Sequence, residues 1–136
     1  MHNRAIATMV ATVFVSTTTA LVSTAALGDE NVTPLLKQEI QGMENMEANI
    51  ALFEVDPGFE TERHIHPGHV FVYVLEGTIE IDAEGEDPVR VSAGEAAYEL
   101  PNLPMVGRNT SSTEGARFVL FQVGEAGKPL MVDQPQ

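Results

Sequence analysis

From residue 48 onward the chain alternates apolar and polar positions in short runs broken by Gly, Pro, Asn and Asp. The clearest run is "TIEIDAEG" (78–85), where Ile79, Ile81 and Ala83 interleave with Glu80, Asp82 and Glu84. A period of two puts the first set on one face and the second on the other, which is a half-buried strand with one wet face. "NIALFEV" (49–55), "VFVYVLEG" (70–77), "PVRVSAG" (88–94), "AAYELP" (96–101), "MVGRN" (105–109), "ARFVLFQV" (116–123) and "GKPLMV" (127–132) read as further strands, rich in β-branched and aromatic residues. Strands at this spacing, separated by turn residues, predict an all-β domain, a sandwich or barrel. One small jelly-roll β-barrel accommodates them, with an interior just wide enough for one small ligand.

Upstream the pattern changes. "VTPLLKQEIQG" (32–42) has Thr33 placed as an N-cap, Pro34 in a first turn, apolar Leu35, Leu36 and Ile40, and Gly42 as a stop. A short helix fits these residues, and so does an extended N-terminal arm. Residues 29–47 are therefore assigned to an arm or helix and residues 48–133 to the barrel.

Residues 1–28 differ again. Between Ala5 and Gly28 there is no charged residue, "MHNR" precedes this stretch, and "STAALG" leads to Asp29 and Glu30. A basic start, an apolar middle and a small-residue end describe a cleaved secretory signal peptide. A transmembrane anchor is the rival reading, weakened by the many Thr and Ser residues. The expectation is a secreted or periplasmic protein with no stable membrane association after cleavage.

Charge narrows the partners. Residues 29–136 hold 6 Lys and Arg against 20 Asp and Glu, a net charge of −14. Nucleic acid and anionic membranes call for basic patches, so neither is an expected partner. The chain of 136 residues has no Cys and no Trp, which excludes disulfides and thiolate metal sites.

The chemistry gathers in "HIHPGH" (64–69), which contains three of the four histidines in the chain. On extended backbone, His64 and His66 point to the same face. Two convergent imidazoles are half of a site for a divalent metal ion, whether iron, manganese, nickel, zinc or copper. A surface turn rich in His is the plain alternative.

"GFETERHIHPGHVFVYVLEG" (58–77) resembles the first motif of the cupins, G-x5-H-x-H-x3/4-E-x6-G, through Gly58, His64, His66 and Gly77. "AGEAAYELPNLPMVGRN" (93–109) is similar to their second motif, G-x5-P-x-G-x2-H-x3-N, with one extra residue before Pro101. The resemblance spans about residues 45–132 and implies a single jelly-roll barrel. It also implies a metal held by two His and one Glu of the first motif and one His of the second. In this chain the Glu position is Val70 and the second His position is Met105. Val cannot bind a metal, and a Met thioether is either a soft ligand suited to Cu(I) or a filler of irregular core space.

Two residues are candidates to complete the site. His69 would have to swing inward through the Pro67-Gly68 turn, against the strand alternation that runs from Val70. Glu99 lies two residues before Pro101, and the resemblance includes cupins with a Glu at this place. The candidate metal residues are thus His64, His66, His69 and Glu99. Tyr73, Tyr98, Met105 and Val70 are candidates to line the pocket, and Arg108 is read as exposed or as an anion contact at its mouth. The functional expectation is a barrel that binds a divalent metal through the His pair and binds or transforms a small polar molecule. The alternative is a non-catalytic binding module with a decayed metal site. A homodimer is expected, burying Leu35, Leu36 or Ile40.

Overall fold

The computed structural model describes residues 30–134, so the expected signal peptide at 1–28 lies outside the described residues. Ten strands run in order: β1 (Glu30–Glu39), β2 (Met46–Val55), β3 (His64–Ile65), β4 (His69–Glu76), β5 (Thr78–Ala83), β6 (Val89–Ser92), β7 (Ala96–Glu99), β8 (Met105–Arg108), β9 (Ala116–Glu125) and β10 (Val132–Asp133). They form two five-stranded antiparallel sheets, ordered β1-β2-β9-β4-β7 and β10-β3-β8-β5-β6. The expected all-β jelly roll is the observed architecture.

Of the two readings of residues 32–42, the helix is wrong and the extended arm is right. Pairing with β2 runs from Glu30↔Val55 to Glu39↔Glu47 and uses the backbone groups that a helix would have satisfied internally. Pro34, which has no N–H to give, sits beside a register shift between Pro34 and Leu36 on this edge strand. The chain reverses through Gly42 and Asn45, both at positive φ (85° and 56°), where Gly and Asn are the least strained residues.

The core lies between the sheets. In β4, Val70, Val72 and Val74 are buried while His69, Phe71, Tyr73 and Leu75 are exposed, an unbroken alternation. Ala51, Phe53, Val55 and Leu120 add to the core from the same sheet, and Ile79, Ile81, Val91 and Met105 add to it from the other. Phe53 stacks on Phe118 at 5.1 Å. Each fully buried valine contributes roughly 1.5–3 kcal/mol by leaving water.

The predicted wet face of β5 is present. Arg108 donates to Glu60 at 2.6 Å and Asp82 at 2.9 Å, and Arg90 donates to Glu80 at 3.1 Å. Arg108 is therefore tied into ion pairs on the outside of its sheet.

Candidate functional site

The turn "HIHPGH" enters the barrel as β3 and leaves as the start of β4. His64 pairs in register with Met105 on β8 and Asp133 on β10. His64 and His66 are both buried, and their rings meet edge to face with centroids 5.0 Å apart. The Pro67-Gly68 turn is what lets the chain pass so close to β9. A Cβ at Gly68 would lie 2.6 Å from the Val123 carbonyl oxygen and 2.9 Å from Cγ of Gln122.

Both imidazoles are held by backbone carbonyls. His66 Nδ1 lies 2.6 Å from the Leu130 carbonyl, and His64 Nδ1 lies 2.9 Å from the Glu62 carbonyl and 3.2 Å from the Thr61 hydroxyl. A carbonyl only accepts, so in each contact Nδ1 is the donor. The neutral ring then carries its lone pair on Nε2. Histidines that bind metals are oriented in this way, with the second nitrogen donating to a carbonyl or carboxylate.

Glu99 comes in from β7. Its Oε2 lies 3.2 Å from His66 Nε2, and the side chains are only 7% and 2% exposed. That separation allows an ion pair, but burial acts against both charges. It pushes His66 down to about 4, with the neighbouring His64 acting in the same direction and the Leu130 bond opposing, and it pushes the Glu99 carboxyl up to about 7. Across that interval the two groups are neutral neighbours. Glu99 Oε2 has no hydrogen-bond partner although it is buried.

Glu99 completes a row. Val70 is paired with Glu99 on one side and with Gln122 of β9 on the other. Gln122 is 2% exposed and was missed as a candidate. Its Nε2 donates to the Pro129 carbonyl at 3.1 Å, next to the Leu130 carbonyl that holds His66, and its Oε1 is buried without a partner. A signal was available: along "ARFVLFQV" the inward positions are Ala116, Phe118, Leu120 and Gln122, and only the last is polar.

The other candidates fall elsewhere. His69 does not swing inward: alternation holds, and it lies on the outer face with Nδ1 2.5 Å from the Tyr98 hydroxyl. Tyr73 and Tyr98 are 48% and 49% exposed on that same face, so neither lines the interior, and Phe71 lies exposed beside them. Val70 and Met105 are interior, as expected, and apolar. Among the described residues no three or more His, Cys, Asp or Glu side chains are grouped to hold a metal ion. A surface cleft of about 910 Å³ lies at the β1–β2 hairpin around Gln38, Met43 and Met46, away from this buried cluster.

The family described as "Cupin domain" matches residues 51–122, which include His64, His66, Glu99 and Gln122. The chain belongs to the cupin family. A conserved protein with a double-stranded β-helix domain from Klebsiella pneumoniae is similar at 20% identity and TM-score 0.62, over 82% of this chain and 89% of that one. A conserved protein of unknown function from Streptococcus pyogenes, SPY1581, is similar at 22% identity and TM-score 0.59, over 73% and 77%. The DMSP lyase DddQ from Ruegeria pomeroyi is similar at 18% identity and TM-score 0.57, with 64% of this cupin covering 43% of that chain. Identities this low show a shared fold. No curated protein matches the sequence.

Proposed function

We propose that this cupin binds a divalent metal ion weakly and exchangeably through His64, His66 and Glu99, and uses the remaining coordination positions for a small polar molecule. The observation that carries this reading is the buried, unpartnered Glu99 Oε2 facing the lone pair of His66 Nε2 at 3.2 Å. Once Glu99 ionises, above about pH 7, two acceptors face one another in a dry interior, and a cation between them satisfies both. Two imidazole nitrogens and a carboxylate suit iron, manganese, nickel, zinc or copper. The apolar Met105 fills core space. Bound there, a metal supplies Lewis-acid polarisation of a substrate oxygen.

The work of the chain itself is positioning. The carbonyls of Leu130 and Glu62 hold each ring with Nε2 free. Buried Val70, in register with Glu99 and Gln122, gives the cluster an apolar neighbour, and Glu99 gives up its proton when a cation arrives. A small-molecule reaction is in keeping with a fold shared with a DMSP lyase, though 18% identity carries no particular reaction across. Export of the mature chain is part of the proposal and rests on residues 1–28.

The second reading, a non-catalytic small-molecule binder, is favoured by the apolar Val70 and Met105 at two of the four usual ligand positions and by the lack, among the described residues, of a formed three-ligand cluster. Calorimetric titration of tag-free protein with Mn(II), Ni(II), Zn(II) and Cu(II) separates the two. The metal reading expects binding by the wild type that is lost in the His64→Ala, His66→Ala double variant. Equal isotherms for the two proteins would leave the binder.

A further inference from the structure

Gln122 takes no part in holding a metal in the site described above, yet it is deeply buried, 2% exposed, on the inner face of β9. β4 sets its position. Val70 is in register with Glu99 on one neighbouring strand and with Gln122 on the other, so both polar residues stand at one level with Val70 between them. The turn that carries His66 packs against Gln122, since a Cβ on Gly68 would lie 2.9 Å from its Cγ. The amide can sit only one way. Its Nε2 donates to the Pro129 carbonyl at 3.1 Å, and a carbonyl only accepts, so the other end is the oxygen. That oxygen, Oε1, is buried with no hydrogen-bond partner.

The neighbouring polar side chains have no donor left for it. The Nδ1 protons of His64 and His66 go to the Glu62 and Leu130 carbonyls. Each imidazole then keeps a lone pair on Nε2, and a proton on Glu99 has the lone pair of His66, 3.2 Å away, to go to. No Lys or Arg is buried among the described residues. At Gln122 the interior therefore offers an acceptor, with no positive side chain beside it to offset a carboxylate. We propose that Gln122 Oε1 is the specificity-determining acceptor of this barrel, and that the small molecule it selects presents an uncharged hydroxyl group to it.

Chemistry separates the classes of visitor. A carboxylate brings a negative oxygen against the amide oxygen in a dry interior, where the two repel. An alkyl group leaves Oε1 buried and unsatisfied, which weakens a complex as it weakens a fold. An aliphatic amine could donate, but it is charged at neutral pH and must shed its hydration to enter. A hydroxyl donates one proton, carries no charge and takes up little more room than a methyl group. Sites that hydrogen-bond a hydroxyl reject the analogue lacking it strongly, because their own polar group is then left unpaired. The Pro129 bond holds the amide in place before any ligand arrives, so little ordering remains to be done on binding. This role for Gln122 rests on the interior taking a small polar molecule, as both readings above have it, and applies with or without a metal.

Three probes on one methyl ketone skeleton test it. Hydroxyacetone carries a hydroxymethyl group, butanone an ethyl group of nearly the same size, and pyruvate a carboxylate. Each is titrated at millimolar concentration into isotope-labelled, tag-free protein, in chelator and again with Zn(II), and followed by NMR through the assigned side-chain amide of Gln122 and the interior methyl groups. Hydroxyacetone should shift the Gln122 amide and bind wild type at least about 10-fold more tightly than butanone in both conditions. It should exceed pyruvate by a similar factor in chelator, where no metal can hold the carboxylate. In Gln122→Met, which keeps the length of the side chain and removes the acceptor, the preference over butanone should vanish. Wild type decides alone if that variant fails to fold. Equal binding of hydroxyacetone and butanone, pyruvate matching hydroxyacetone in chelator, or an unmoved Gln122 amide overturns the role of Gln122 and leaves the small-molecule reading standing. A preference that persists in folded Gln122→Met overturns it too. If none of the probes moves an interior signal with or without Zn(II), the interior takes no such molecule, and the small-molecule reading falls together with the role of Gln122.

Discussion

Replacing Glu99 by Gln should stabilise the metal-free protein at alkaline pH and leave it almost unchanged in mild acid. The Glu99 carboxyl ionises near 4.5 in an unfolded chain and at about 7 in the folded one, because burial disfavours its charge. A group raised in this way binds its proton more tightly in the folded state. Its contribution to stability is intact below 4.5, is lost as pH rises toward 7, and stays lost above that. At roughly 1.4 kcal/mol per pH unit of displacement, wild type forfeits about 3 kcal/mol by about pH 8.5. The amide of Gln has nearly the same shape, never ionises, and can donate to the lone pair on His66 Nε2.

His66 responds in the opposite sense. Its folded value of about 4 lies below the ordinary 6.5, so its contribution is present above 6.5 and is lost as pH falls toward 4. Between about 4.5 and 6.5 the two slopes oppose one another in wild type, and removing Glu99 exposes the His66 slope alone. The assay is urea unfolding of both proteins in chelator at about pH 5 and about pH 8.5. The difference in stability between Glu99→Gln and wild type should grow by about 2–3 kcal/mol from the lower pH to the higher, which for a domain of this size is on the order of 10 °C in melting temperature. A difference that is the same at both pH values would refute the burial argument and with it the role given to Glu99.

Three other outcomes follow from the same geometry. Metal affinity should rise with pH through about 7, because a cation must displace the Glu99 proton, and titrations in buffers of different ionisation enthalpy should count that proton. Gly68→Ala should cost on the order of 2–4 kcal/mol in chemical denaturation, since the added Cβ would sit 2.6 Å from the Val123 carbonyl oxygen where the backbone cannot yield. N-terminal sequencing of the protein from its native cells should begin near Asp29; an intact Met1 on a membrane-bound form would reverse the signal-peptide assignment.

Much of the fold was legible because a β-strand writes its burial into alternate residues. Ile79, Ile81 and Ala83 against Glu80, Asp82 and Glu84 fixed both a strand and its wet side, and Arg108 and Arg90 supply the counter-charges on that side. The N-terminal strand was harder to read. Thr33, Pro34 and two leucines satisfy local rules for a helix start, but pairing with β2 decides the matter, and a partner some 15 residues away leaves no local mark. The outer face of the larger sheet misled for a related reason. Aromatics at Phe71, Tyr73 and Tyr98 look like core by composition. Only parity relative to the valines between them reveals that they point out.

The same parity accounts for the residues at the site. Val70 stands where the cupin pattern has a carboxylate, so the sequence seemed to lack a ligand, and His69 beside it was an obvious substitute. Yet His69 and Val70 are consecutive on one strand and face opposite sides, so His69 could replace the carboxylate only by breaking the β4 ladder. Glu99 needs no such distortion. It is the direct partner of Val70 on the adjacent strand, where paired Cβ atoms lie about 5 Å apart on one face of a sheet. Glu is long enough to span that gap, and its Oε2 ends beside His66. The Glu99 carboxyl stands one strand sideways from Val70 at the same level of the barrel. A core otherwise built of valines tolerates Glu99 and the unpartnered Gln122 oxygen at a cost in stability. Burial costs of that kind concentrate where a fold keeps polar groups ready for something to bind.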